Sequence, residues 1–404
     1  MVSKSPERPA TSRTILTSIV EHGPVSRARL SRLTGISKPT TSEIVGDLER
    51  SGLVQQSGRT NGGIGRTAVT YELCRDAAYF VACDLGASKI HMAIADLGTT
   101  VLGEVSAPTE RNDRPRLKKQ LQSMLNELLA ENRIDRRRVR MAVVGTPGVV
   151  DRRTGSVALV PNIPAFEGVN LPKFMQAVFG SAVMIENDVN LGVIGEHAAG
   201  HGSDNDNLVY LALGTGIGMG LLVDGRLVRG HSGAAGEIAY LPIGGDPFEP
   251  VNVSNGTLES SVGAAAIVAS YQKAGGERGM SVRSIFERLG SGDTIAETVV
   301  RDLGRHVALG IAAVAAVLDP NLVVLGGSIG ARPELAKHVR LNLSALMLTP
   351  PAVEVSSLGN RGPIEGALIV GGERLQREVL GLDATEPLRA ITAAGIRKRM
   401  EAAE

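Results

Sequence analysis

Apolar positions change their period along the chain, and the changes divide it. From Thr11 to Glu21, Ile15, Leu16, Ile19 and Val20 recur at helical spacing until Gly23-Pro24 ends the run. Ser26 caps a second short helix through Leu33, and Gly35 makes a tight turn. A third helix runs from Ser37-Lys38-Pro39 through Ile44, Val45 and Leu48 to about Ser51, where Gly52 stops it. Pro39 suits the first helical turn, where its missing N–H is not needed. Leu53–Gln56 and Ala68–Leu73 then read as strands on either side of a loop, 57–66, rich in Gly and Arg. Three helices with a glycine turn before the third, followed by a two-stranded wing, predict a winged helix-turn-helix over residues 1–75.

Beyond residue 76 the pattern alternates between strand and helix. Tyr79–Lys89 is an apolar run entering a polar turn, and Ile90–Ala95 returns as a second strand, so the pair is a hairpin. A charged amphipathic helix over Arg114–Asn132 precedes a buried-type strand at Arg140–Val144. Met184-Ile185 ends in Glu186-Asn187-Asp188-Val189-Asn190, and a helical pattern follows. The second half repeats the theme: a strand from Asn207 to Leu213, a glycine turn Gly214–Gly220, and a strand resuming at Leu221–Val223. Asn255–Glu259 opens a helix, and Asn321–Ser328 is a strand ending in a glycine turn. Strand–turn–strand units in both halves predict two similar α/β lobes facing a cleft.

Composition narrows the class. A chain of 404 residues calls for two or three domains, and 43% hydrophobic residues allow substantial cores. Aromatics at 3% leave Ala, Val, Leu and Ile to fill them. Two cysteines exclude a disulfide framework and a four-cysteine zinc site. There is no apolar leader segment, and the apolar run Val307–Leu318 is too short to span a bilayer, so a soluble cytoplasmic protein with no membrane partner is expected. Charge is asymmetric. Residues 1–75 carry 11 Lys/Arg against 6 Asp/Glu, and the remainder 32 against 36. A basic head on an acidic body points the head towards a polyanion.

Candidate chemistry follows from these placements. The polar residues Ser37, Lys38, Thr40, Thr41 and Ser42 present the third helix to a DNA major groove. Arg59 and Arg66 in the wing are suited to phosphates or a minor groove. Asp84, at a strand end, and the turn Leu85–Ser88 address a nucleotide phosphate or its Mg²⁺, or simply close a hairpin. Asn162 lies in a loop stiffened by Pro161 and Pro164, as a sugar ligand or a turn former. Asn187 and Asp188 aim oxygens and an amide into one small polar space, suited to sugar hydroxyls, although an N-cap needs the same residues.

Asp84-Leu85-Gly86-Ala87-Ser88-Lys89, Glu186–Asn190, Gly214-Thr215-Gly216-Ile217-Gly218 and Ala235-Gly236-Glu237 occur in an order that resembles the ROK family (repressors, open reading frames, kinases) over about residues 76–380. The resemblance implies a two-lobed actin-like (RNase-H-like) fold. With a winged helix in front, it is similar to sugar-responsive regulators of the xylose and N-acetylglucosamine repressor type. It implies a sugar site of Asn162, Asn187, Asp188, Glu237, Glu259 and Tyr240. Asp188 matches the family's catalytic base in its kinases. Phosphate loops are implied at Asp84, Gly86 and Lys89, and at Gly214, Thr215, Gly216 and Gly218, with Gly326 and Gly327 on the adenosine side. Two departures stand out. Tyr240 replaces the family's histidine, and Gly244–Leu258 holds no cysteine where a zinc loop belongs, so no zinc is expected. Ala87 stands where kinase members commonly carry a second glycine.

The resulting expectation is a transcriptional repressor of carbohydrate genes. It would bind double-stranded operator DNA as a homodimer or homotetramer, respond to a sugar or sugar phosphate, and require no cofactor. The alternative is an ATP- and Mg²⁺-dependent sugar kinase with Asp188 as base. The domains are expected at 1–75, at 76–187 completed by a C-terminal helix over 376–404, and at 188–375.

Overall fold

In the computed structural model, residues 9–60, 67–150, 157–158 and 163–381 are described. Asn162, Arg66 and the 382–404 part of the expected C-terminal helix lie outside them.

The head is built as its apolar spacing dictates. Helix α1 (Ala10–His22) buries Ile15, Leu16 and Ile19, and α2 (Arg27–Thr34) buries Leu30. Gly35 takes φ +71°, which an L side chain resists, and so turns the chain sharply towards α3 (Lys38–Arg50). Strands β1 (Val25–Ser26), β2 (Val54–Thr60) and β3 (Ala68–Leu73) form one antiparallel sheet in the order β1-β3-β2. Two residues are too few for a periodic signal, so β1 is invisible in the sequence. It is set by pairing Val25 with Tyr71, and the Arg27 guanidinium lies over the Tyr71 ring at 4.8 Å.

By internal contacts the chain forms two compact units. One comprises residues 1–146, 160–185 and 367–404; the other comprises 147–159 and 186–366. In the first, β4 (Tyr79–Leu85), β5 (Lys89–Asp96) and β6 (Val101–Pro108) form an antiparallel meander. Helix α4 (Arg114–Glu131) leads to β7 (Val139–Thr146), which pairs parallel to β4. The hairpin β8 (Val149–Val150) and β9 (Val157–Ala158) belongs to the other unit. Helix α5 (Leu171–Phe179) and β10 (Ala182–Asn187) follow, and the sheet order is β10-β7-β4-β5-β6. β4 and β7 are buried almost throughout, whereas β6 alternates between half-buried and exposed, as an edge strand does.

The second unit starts with α6 (Asp188–Ala199), then β11 (Leu208–Leu213), β12 (Ile217–Val223) and β13 (Arg226–Leu227). The helices α7 (Pro250–Asn255), α8 (Glu259–Val262), α9 (Ala264–Lys273), α10 (Val282–Gly290) and α11 (Thr294–Leu318) come next. The unit closes with β14 (Leu322–Gly326), α12 (Gly327–Gly330), α13 (Pro333–Leu346) and β15 (Ala352–Val355). Its sheet, β13-β12-β11-β14-β15, repeats the strand order of the first: a meander whose first strand pairs parallel with the next one, β11 with β14 as β4 with β7. Leu211, Leu213, Val323 and Leu325 pack with α11 and α13 in one core, while Tyr210, Leu208 and Val324 meet Val193 of α6 in another. The two similar lobes read from the sequence are therefore two copies of one α/β topology. A last helix, α14 (Gly362–Leu380), starts fourteen residues before the expected 376 and is shared between the units. Among the described residues, no helix is long and apolar enough to cross a membrane.

Candidate functional site

The site in the second unit begins with a helix terminus. Asn187 adopts an extended conformation and caps α6: its Oδ1 accepts from Val189 N–H at 3.0 Å and from Asn190 N–H at 3.3 Å. Its Nδ2 donates to the Gly148 carbonyl at 3.1 Å. The capping role and the polar-cluster role thus coincide in one residue, whose Oδ1 is already engaged by the helix. Asp188, in the first helical turn, accepts from the Val189 N–H at 2.9 Å. Burial pushes its carboxyl up to about 6, against the lowering effect of the Val189 amide.

Alternation along β12 explains how α6 comes so close. Gly216, at the turn, and Gly218 and Gly220, in the strand, share one face because side chains alternate. A Cβ on Gly218 would stand 3.1 Å from Val189 Cγ1, and one on Gly220 would strike the Val189 carbonyl. A Cβ on Gly216 would strike the Glu259 carboxylate. The glycine turn is accordingly shorter than expected. Gly218 is a strand residue, and it is bare because the start of α6 lies against it. Within the true turn, the Gly214 N–H donates to the Gly216 carbonyl at 2.9 Å and Thr215 is exposed.

Two further carboxylates come from separate elements. Glu259 opens α8 and accepts from the Ile217 N–H at 3.0 Å. Glu237 follows Gly236, whose φ of +94° places its backbone against Met219 of β12. Burial raises the carboxyl of Glu237, and the charges of Asp188 and Glu259 raise it further. Burial also raises that of Glu259, opposed by the Ile217 amide. Tyr240 is 41% exposed, its hydroxyl 3.4 Å from the Ser254 carbonyl. Burial and the nearby Glu237 and Glu259 charges raise its phenol. The structure therefore brings Asp188, Glu237, Glu259 and Tyr240 into one electrostatic neighbourhood of acceptors, the arrangement that receives hydroxyl donors. Among the described residues, no group of three or more His, Cys, Asp or Glu side chains is placed to hold a metal ion.

A cation missed in the sequence supports this neighbourhood. Arg229 reaches Glu186 Oε2 with Nε and Nη2, both at 2.8 Å. Glu186 is buried, and its Oε1 accepts from Asn190 Nδ2 at 3.0 Å and from the Asn187 N–H at 3.2 Å. The pair ties the loop that ends at Glu237 to the start of α6. No motif marks Arg229, because its partner lies 43 residues away.

The remaining phosphate candidates have local packing reasons. In the first unit, the Gly86 N–H donates to the Lys89 carbonyl at 3.1 Å, Lys89 is exposed, and Asp84 pairs in register with His91 and Gly145. In the second, a side chain on Gly326 would run into the Tyr210 ring, and one on Gly327, at φ +78°, would meet the Leu213 carbonyl.

In the head, Ser37 caps α3 by accepting from Thr40 N–H at 3.3 Å, and their hydroxyls lie 2.8 Å apart. Lys38, Thr40 and Arg59 are exposed and Ser42 half-buried, but Thr41 is fully buried, its hydroxyl 3.4 Å from the Ile36 carbonyl. Thr41 faces the core of the head and is withdrawn from the DNA-reading set. Helical spacing explains it, since Thr41 precedes Ile44, Val45 and Leu48 on the buried stripe.

A family model described as ROK family matches residues 80–373. The chain belongs to the ROK family. Residues 9–62 of this ROK protein match a second model, described as MarR family. The xylose repressor of Bacillus spizizenii is 26% identical over 359 residues, covering 87% of this chain and 92% of that one. The beta-glucoside kinase of Listeria monocytogenes is 26% identical over 291 residues, covering 71% of this chain and 95% of its own. Among solved structures, the ROK hexokinase from Thermus thermophilus superposes with a TM-score of 0.62 at 27% identity, covering 74% of this chain and 99% of that one. A ROK family transcriptional regulator, homologous to the E. coli MLC protein, reaches a TM-score of 0.68 and covers 96% of this chain and 98% of its own. At 23% identity, this last likeness shows that the fold is shared along nearly the whole chain.

Proposed function

We propose that this ROK protein is a sugar-responsive repressor of genes for carbohydrate uptake or breakdown. The observation that carries the reading is the joining, in one chain, of a winged helix with exposed Lys38, Thr40 and Arg59 to a ROK body with clustered Asp188, Glu237 and Glu259. The match to the xylose repressor covers 87% of this chain, whereas the match to the kinase relative covers 71% of it. The effector is a sugar or sugar phosphate whose hydroxyls donate to the three carboxylates, with Tyr240 at the rim and Asn162 as a further ligand. The head reads duplex DNA through α3 and the wing, where Arg66 joins Arg59. The protein acts as a dimer or tetramer, since such heads read half-sites about one helical turn, or a multiple, apart. Anisotropy titrations against its own upstream region, with and without D-xylose, D-glucose and N-acetyl-D-glucosamine, test this. The expected result is sequence-specific, salt-sensitive binding altered by one of these sugars; binding indifferent to sequence and to sugar would sink the reading.

One observation favours a second reading, an ATP-dependent sugar kinase. A carboxyl raised to about 6 is poised as a general base near neutral pH. Against it, Glu259 occupies the Ile217 amide beside the glycine turn, setting negative charge where phosphate would approach. ADP release in a coupled assay, abolished by Asp188→Asn, would establish the kinase; no turnover with any sugar would dismiss it.

A further inference from the structure

Helix α14 touches two places that matter to a repressor. Its first turn lies in the second unit, backbone to backbone with α6: a Cβ on Gly366 would strike the Leu191 carbonyl, and one on Gly195 the Gly362 carbonyl. The same helix continues without a break to Leu380. In the first unit, its later turns press on the turn Leu97–Thr100 between β5 and β6. A Cβ on Gly372 would lie 2.5 Å from Thr99 Cγ2, and the fully buried Gln376 donates from Nε2 to the Leu97 carbonyl at 3.0 Å.

The other side of that turn holds the exit of the head. The Leu97 N–H donates to the Arg75 carbonyl at 3.0 Å, and Arg75 Nη1 donates to Thr100 Oγ1 at 2.8 Å. The aliphatic part of Arg75 covers Gly98, and Asp76 pairs with Arg138 at 3.2 Å. Residues 75 and 76 follow β3, the last strand of the wing, after Cys74. The head is thus clamped to the turn on which α14 rests.

That turn is held under strain. Thr99 is β-branched yet adopts φ +65°, and it is fully buried. Its Oγ1 and the Oε1 of Gln376 are buried with no hydrogen-bond partner among the described residues. A fully buried, β-branched residue held in the left-handed region stores backbone strain of the kind found at switching elements. Nothing comparable is needed merely to close a hairpin, where Asn or Gly would serve.

We infer that α14 is the coupling rod of the repressor. It carries displacement of α6, whose first turn holds Asp188, to the turn Leu97–Thr100, and Arg75 passes the change to the head. Arg75 and Gln376 are positioning residues; they touch neither the sugar carboxylates nor the DNA-reading face. The inference rests on the repressor reading, and the test separates the two.

The experiment uses full-length protein, its upstream DNA, and D-xylose, D-glucose and N-acetyl-D-glucosamine as probes. DNA Kd with and without each sugar is measured by anisotropy, and sugar Kd by calorimetry, for wild type, Arg75→Ala and Gln376→Leu. The wild-type ratio of DNA Kd with and without the effective sugar is expected to be about tenfold or more, within the usual range of coupling. In both variants that ratio is expected to fall below about twofold, while sugar Kd and sugar-free DNA Kd each stay within about twofold of wild type. A ratio preserved in Arg75→Ala overturns the inference, even if DNA affinity itself falls. Arg75 is exposed, so that variant decides alone if Gln376→Leu fails to fold. A wild type that binds DNA but ignores every probe overturns the repressor reading and the coupling with it.

Discussion

Asp188→Asn separates the stability of the site from its use. Burial raises the Asp188 carboxyl from 3.8 to about 6, so the folded chain holds this proton more tightly than the unfolded chain does. The stabilisation is therefore complete below pH 3.8 and is lost as pH rises through 6. At about 1.4 kcal/mol per pH unit, the ionised group costs the fold up to about 3 kcal/mol at neutral pH. Asparagine keeps the shape and an acceptor for the Val189 N–H, but gives up a favourable charge at the start of α6, a loss of about 0.3–1 kcal/mol. The net expectation is a variant more stable than wild type by about 2 kcal/mol at pH 8. That corresponds to a rise of about 4–8 °C in Tm for a domain of this size. Thermal unfolding of both proteins from pH 4.5 to pH 8 is the assay, with sugar binding measured in parallel. The advantage should grow by about 2 kcal/mol over that range, level off above pH 7, and accompany loss of sugar affinity. An advantage that is flat or shrinks with rising pH would refute the burial argument.

Other outcomes follow from the same geometry. Gly216→Ala should drive the Glu259 carboxylate off the Ile217 amide and weaken sugar binding about tenfold or more, with DNA binding in the absence of sugar unchanged; calorimetry and anisotropy read the two. Arg59→Ala should lower the slope of log K against log salt by about 0.9, the value of one phosphate contact. Thr41→Val should leave that slope and the operator preference intact, because the hydroxyl is buried. Asn187→Ala should cost about 1 kcal/mol of stability through the lost cap, seen as a lower denaturation midpoint.

Much of the architecture was legible because it is written in local periods. The head's three helices and two of its strands, the β4–β5 hairpin and the strand before Gly326 follow from spacing, caps and glycine turns that act within a few residues. The carboxylates Asp188, Glu237 and Glu259 were legible as motifs, since each sits at an element boundary where a polar residue stands out. Their convergence was not, because it depends on the turn at Gly216 and on Gly218 and Gly220 of β12 leaving bare positions for Glu259 and for α6. The sequence pattern marked Gly214–Gly220 as one turn. Only packing separates the true turn, Gly214–Gly216, from Gly218 and Gly220, which are strand residues made small by the approach of Val189.

Helix periodicity and charge asymmetry by themselves determined that a basic helical head precedes an α/β body with a repeated strand–turn–strand theme, for these are properties of residues near one another in the chain. The tertiary structure decided which side chains remain available. It set Arg229 on Glu186 across 43 residues. It also joined Gln376 to Leu97 across 279 residues. Such pairings cost chain entropy that only a complete core can offset, so no local stretch of sequence can announce them.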